Sequence, residues 1–476
     1  MSQPTDPRSI PPGCPAHAPG FNPQLYGPDF AVDPEAYYAH LRKQGPSAPV
    51  DIAPGVEVEL VTSYDAALHI LQNPATFPRD SRRWNALNEG RVPADSPALP
   101  MMAWRRNALF ADGADHAKLR QAVTAALATV DERALIRQTQ ASADYLISGF
   151  SSDRDGRAEL MAEYAGPLPL LVFSHLFGCP PDIGDRVITG ISGIFEGIAG
   201  ADEVLGQALA ELISLKHRRP GDDLTTELIR QHMLLTSDQH EADEAVLQQL
   251  VTLLSGGTAP LSAAIGTSAA LYLGEDWPTG LPVEDAVSQA LWSYAPIANY
   301  AGHYPSVDIE LGGRTVRAGD PVLISFAAAN TDPRLTEHRA QLNSKAHLAF
   351  GAGPHACPAK DPALLIAVTA VECLLNRLPD LELDEPFSAL SWVPSPWSRA
   401  LSALPVGFAP RSVPAAPAPY EPAAPAVSQP TPGLNPPAYE PVASVSTGVE
   451  VEGELDQGKK RKGGLFSRFV AWTRGE

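Results

Sequence analysis

The stretch FGAGPHACPA, Phe350 to Ala359, decides how the rest of the chain is read. Two glycines flank Ala352, and Pro354, His355, Cys357 and Pro358 follow. Gly351 and Gly353 permit a positive φ and a close backbone approach that a Cβ would block, so this loop can lie flat against a planar ligand. Pro358 suits the first turn of a helix, where a missing N–H leaves nothing unsatisfied, and a helix is therefore expected to start at Cys357. The N–H groups and the positive end of such a helix favour a thiolate over a thiol, and the thiolate is the form that binds iron. A lone cysteine among glycines is more often a small buried apolar group. A Cys with this setting can be an axial ligand.

Outward from this loop, 476 residues with 44% hydrophobic content exceed the usual length of one core and suggest a large body with an appendage. A formal charge of −20 argues against a nucleic-acid partner, because phosphate binding needs an excess of Lys and Arg. Cys14, Cys179, Cys357 and Cys373 are scattered without metal-knuckle or disulfide spacing, which fits a reducing cytoplasm. Met1 to Gly20 has no apolar core behind a basic cluster, and no run of about eighteen apolar residues occurs, so neither secretion nor a membrane span is expected.

Apolar residues recur at three- and four-residue intervals in Val61–Leu71 and Ala117–Phe150, predicting helices. In Arg218–His232 a break at Pro220-Gly221 is followed by Asp222 or Asp223 as the cap of a new helix. Val307–Phe326 alternates around Gly312-Gly313 and Ala318-Gly319, the pattern of short strands joined by tight turns. The expected fold is mainly α with a minor β region, its body spanning 23–410 behind an extension at 1–22. Residues 411–458 are rich in Pro and Ala, repeat a Tyr-Glu-Pro unit, and read as a disordered linker. Residues 459–476 form a basic amphipathic tail: Lys459 to Lys462 stand beside Leu465, Phe466, Phe469, Val470 and Trp472, a combination suited to an anionic membrane surface. A solvated tail or a site for a partner protein are the alternatives.

At every fixed position, FGAGPHACPA matches F-G-x-G-x-H-x-C-x-A/G, and the chain resembles a bacterial cytochrome P-450 over roughly Pro23 to Phe408. His116-Ala-Lys-Leu-Arg120 looks like the family's H-x-x-x-R helix, while Asp222-Asp223-Leu224 and Ala329-Asn330-Thr331-Asp332-Pro333 fall where the family has D-D-L and A-N-R-D-P. The resemblance implies haem b with Cys357 as the axial ligand to iron, and the loop's Phe350 among the haem-binding residues. It also implies His116, Arg120, His303 and His355 around the propionates, His303 standing where the family often has Arg. Charge-assisted hydrogen bonds to those carboxylates anchor an otherwise apolar macrocycle. The function implied is that of a monooxygenase: dioxygen is activated reductively, with electrons from a ferredoxin-type donor, and a small organic substrate is oxidised. The loop from Arg79 to Phe110, with Trp84, Met101, Met102 and Trp104, is expected to wall an apolar substrate pocket, while its arginines could meet an anionic group.

Two departures stand against these matches. Gln289-Ala290-Leu291-Trp292 occupies the place of E-x-x-R, so the family's buried ion pair cannot form, and this variant looks like the actinobacterial conservon type found with sensor-kinase and small-GTPase modules. Ser255-Gly256-Gly257-Thr258-Ala259-Pro260 lacks the acid and aligned Thr that relay protons to bound dioxygen. Pro260 is expected to distort its helix. Gly256 and Gly257 could still form the oxygen groove; Thr258, the one catalytic candidate, or ordered water could replace the relay, unless Thr258 bonds its own helix backbone. The alternative function is a haem-binding regulatory or scaffold protein in a membrane-associated GTPase signalling complex, cytoplasmic and peripheral at the inner face of the membrane.

Overall fold

The computed structural model describes residues 22–151, 156–195, 198–336, 345–410 and 464–474. The expected linker at 411–458, nearly all of the N-terminal extension and the basic run Lys459–Lys462 lie outside them. The longer helices are α1 (Pro34–Arg42), α2 (Tyr64–Gln72), α3 (Gly113–Leu127), α4 (Glu132–Ser151), α5 (Pro167–Leu176), α6 (Pro181–Phe195), α7 (Ala201–Arg218), α8 (Leu224–Met233), α9 (Gln239–Leu273), α10 (Val283–Ser293), α11 (Lys360–Arg377) and α12 (Leu465–Thr473).

The 35-residue α9 is the axis of the body and runs about 50 Å. Its buried residues Leu250, Leu254, Leu261 and Ile265 recur at helical spacing and meet α5, α7, α8, α10 and α11 on several sides. By length and composition α9 could cross a membrane, but its apolar surface is core. Pro260 does not interrupt it: the helix is continuous from Gln239 to Leu273. The residue that loses its i+4 donor is Gly256, which is exposed, so its carbonyl need not be left dry.

A small sheet flanks the helices, with β1 (Ser47–Ala53), β2 (Val56–Val61), β3 (Asn299–His303) and β4 (Val322–Ser325) in the order β1-β2-β4-β3. β2 and β4 are parallel, and the other two pairings are antiparallel. The expected alternation after Val307 is present as a hairpin, Ile309–Leu311 against Arg314–Val316, turning at Gly312 and Gly313 with φ of 62° and 78°. The break after Arg218 is also where it was expected. Asp223 caps α8 by accepting from Thr226 N–H at 2.9 Å, and its other oxygen takes Lys216 Nζ at 2.6 Å.

The tail differs from its reading as a free amphipathic face. Phe466 and Phe469 of α12 are 1% and 2% exposed, because the helix lies against α4, α5 and α6. The apolar side that suited a lipid surface is buried on the chain's own body.

Lys216 and Asp223 are nearly buried together, so removing one strands the other in a low dielectric. Asp223→Ala also removes the α8 cap, and we expect it to lower stability by about 3–5 kcal/mol in urea unfolding.

Candidate active site

The cysteine loop closes on itself. Cys357 N–H donates to Phe350 O at 2.8 Å, and Gly351 N–H to Leu348 O at 2.8 Å. Gly353 has φ of 67°, and a Cβ there would overlap the Leu71 carbonyl at the end of α2, so only glycine fits. The following helix, α11, begins at Lys360 and not at Cys357 as expected. Helix-end stabilisation of the sulfur is correspondingly weaker. Burial pushes the Cys357 thiol up, while the Ala359 N–H, Arg120 and Lys360 pull it down. The ligand-free loop therefore holds a thiol, whose proton leaves when a metal binds.

In place of an ion pair, this loop is tied to α10 by an amide and a row of rings. Asn330 is buried, donates from Nδ2 to Leu291 O at 3.1 Å and accepts Leu348 N–H at 2.8 Å. Trp292 meets His347 edge-on at 5.8 Å, and His347 meets Phe350 at 5.9 Å. Gln289 Nε2 donates to Ser293 Oγ at 2.8 Å. The half-buried Phe350 ring also carries Lys360 Nζ at 5.9 Å from its centre.

Around the loop the structure gathers the cationic residues singled out in the sequence. His116 of α3 and His355 lie ring to ring at 3.9 Å. Arg120, one turn after His116, donates from Nη2 to Ala356 O. His303, at the end of β3, is buried within electrostatic reach of His355. Arg79 joins them from the loop after α2, buried, with its guanidinium 4.2 Å from the centre of the Tyr300 ring. The sequence had assigned Arg79 to the pocket wall, and nothing in its local pattern separates it from Arg82 and Arg83. The neighbouring carboxylate, Asp112, is 3.9 Å from His355 Nε2 and already accepts the N–H groups of Arg79 and Asp80.

Burial and then Arg79, His116 and Arg120 push the His355 pKa down to about 2. Burial and then Arg120 lower that of His116, and burial with Arg79 and His355 holds His303 well below its ordinary value. His116 Nε2 and His303 Nδ1 are buried without a hydrogen-bond partner among the described residues. Two guanidinium groups beside imidazole nitrogens without partners fit a bound anion, and two propionates beside a cysteine sulfur meet that requirement.

The glycine segment of α9 departs from the sequence expectation. Gly257 is no open groove: a Cβ there would strike the Phe173 ring of α5. Gly256 is open, with nothing near its Cβ position, and Ser255 beside it is exposed. Thr258 is buried, and its Oγ1 bonds neither its helix backbone nor any other described group. Trp84 and Met102 belong to the core at 0% exposure and wall no open pocket, whereas Met101 and Trp104 stay exposed. A cavity of about 730 Å³ lies elsewhere, beyond the end of α9, lined by Trp277, Trp292, Tyr294 and Phe387, and includes none of the cationic cluster.

No family model matches the chain. It is 32% identical over 412 residues to the cytochrome P-450 monooxygenase PikC of Streptomyces venezuelae, covering 83% of this chain and 95% of that one. It is 29% identical over 403 residues to nocardicin C N-oxygenase of Nocardia uniformis subsp. tsuyamanensis, covering 80% and 97%. Among solved structures, CYP154A1 from Streptomyces coelicolor A3(2) superposes with a TM-score of 0.69 at 28% identity, covering 82% and 99%.

The depressed histidines set a pH dependence. The folded, haem-free chain binds fewer protons than the unfolded chain below about pH 6.5, so its stability is complete above that pH and falls as pH drops. Each such histidine contributes about 1.4 kcal/mol per pH unit until its folded pKa is reached. Urea midpoints of the haem-free protein at several pH values should show this slope, and His303→Gln should flatten it.

Proposed function

The chain belongs to the cytochrome P-450 family of haem-thiolate monooxygenases, and from that premise we propose that Cys357 is its axial ligand and that His116, Arg120, His303, His355 and Arg79 hold the haem propionates. The observation that carries this reading is the convergence of those five side chains beside the Cys357 loop. Phe350 supports the loop on which the ring would rest. Bound there, haem supplies reductive activation of dioxygen, with electrons from a ferredoxin-type partner and a small organic molecule as the substrate.

The chain's own contribution on the opposite side is unusual. Ala259 and Pro260 stand where an acid and an alcohol would relay protons, and neither side chain can carry one. Pro260 has no N–H to give to the Gly256 carbonyl, which is thereby left as an acceptor on an exposed part of α9. A water held at that carbonyl is the proton carrier we favour. Thr258 Oγ1, buried and unpartnered, is the second position at which a proton can be held. The replacement of E-x-x-R by Gln289 and Trp292 supports assignment to the conservon-type subgroup, and we place the enzyme in the cytoplasm.

The reduced, carbon-monoxide-bound absorption spectrum tests the ligand assignment. The full-length protein should give the long-wavelength Soret band of thiolate ligation, and Cys357→Ser should lose both that band and substrate-dependent turnover. A band at the ordinary position in the unmodified protein would overturn the assignment.

A further inference from the structure

We propose that α12 is a cis-docked strap, seated in a groove built for it on α4, α5 and α6, and that its occupancy holds α6 in place. Three independent features make the seat. Gly184 of α6 lies under the Phe466 ring, and a Cβ at that position would overlap the ring, so the helix is notched there. Asp185, one residue on, caps α12 from outside: its carboxylate accepts Phe466 N–H at 2.7 Å, Ser467 N–H at 3.1 Å and the Ser467 hydroxyl. A carboxylate at that pole satisfies first-turn donors and meets the positive end of the helix. Tyr145 of α4 closes the far end, its ring 5.3 Å from Phe469 and 5.4 Å from Trp472.

The other side of α6 is notched as well. Cβ atoms at Gly190 and Gly193 would strike Leu205 and Ala201 of α7. α6 therefore lies between α7 and α12, and α7 in turn packs on α9. A nine-residue helix is too short to persist alone in water, so α12 depends on this seat. The strap's connection to the body is residues 411–463, enough chain to reach roughly 170 Å fully extended, so nothing in the covalent geometry prevents docking in cis. Tethering also keeps the local concentration of the strap high relative to a second molecule. Docked, the strap limits how far α6 and α7 can move from α9 and the open face at Ser255 and Gly256. That consequence for substrate access rests on the function proposed above, whereas the docking does not.

Hydrogen exchange of the full-length protein reads the docking alone, without substrate or turnover. In Phe466→Ala/Phe469→Ala, amides of α6 should exchange about tenfold faster or more, while those of α10 and α11 keep their protection. Ser467→Glu, which sets a second negative charge against Asp185 and leaves the apolar face intact, should do the same, and Ser467→Ala should be close to the unmodified protein. A synthetic peptide of residues 459–476 should restore α6 protection in the double-alanine variant. Unchanged α6 exchange in both the double-alanine and Ser467→Glu variants, or a peptide without effect, would overturn the proposal. So would loss of α6 protection when the unmodified protein is mixed with phosphatidylserine vesicles, because the strap would then rest on lipid and not in cis.

Discussion

Gathering Arg79, Arg120, His116, His303 and His355 at one buried place is unfavourable within the chain alone, and much of the structure around the cysteine loop answers to that constraint. The histidines respond by staying neutral. Arg79 spreads its charge over the Tyr300 ring, which itself stacks on Phe326 at 5.1 Å, and Arg120 leans on the Ala356 carbonyl. The chain thus holds a set of donors whose best partner is an anion it does not itself provide. Burial raises the Cys357 thiol for the same reason that it lowers the histidines: each group awaits a ligand that would stabilise the other protonation state or the charged one.

The support behind the loop shows how a buried ion pair can be replaced. An ion pair at the E-x-x-R position would incur the desolvation of two charges, whereas Asn330 satisfies one N–H and one carbonyl without burying any charge. Trp292, His347 and Phe350 then carry contact from α10 to the loop by packing, and burial, followed by Lys360, lowers the His347 pKa to about 4, so this ring is neutral near pH 7. Rigid rings and one amide fix the position of Phe350, and Phe350 O fixes Cys357 N–H.

How much of this was legible in the sequence depends on whether the signal was local. The loop from Phe350 to Cys357, the His116–Arg120 pair one turn apart, and the Asp223 cap after Pro220-Gly221 are written in neighbouring residues; the cap stands where it was expected, His116 lies against His355 of the loop, and the helix after the loop starts three residues later than its pattern suggested. Arg79 was not legible as part of the cluster, because its partners come from β3, α3 and the cysteine loop. Trp84 and Met102 read as pocket wall since an irregular loop has no period to tell inward from outward positions; they are core. The tail failed for a related reason. The spacing of Phe466, Phe469 and Trp472 correctly predicts an amphipathic helix, but an amphipathic helix does not say whether lipid or protein covers it, and the two residues that decide, Gly184 and Asp185, lie far away in the chain.

Helix α9 carries the same lesson into the chemistry. A proline inside a helix costs about 3 kcal/mol when it strands a buried carbonyl and crowds the preceding turn. Here the carbonyl at risk belongs to Gly256, which is exposed, so water can satisfy it. Phe173 fills the notch at Gly257 and supplies packing on the buried side. Exposure at Gly256 is what makes the proline tolerable, and the proline leaves that one backbone carbonyl without its helix donor. Restoring only an acid at Ala259 would leave that arrangement intact, whereas restoring an N–H at residue 260 would close the carbonyl back into the helix. The backbone, more than any side chain on this face, is what distinguishes α9 from a helix that carries an acid and an alcohol.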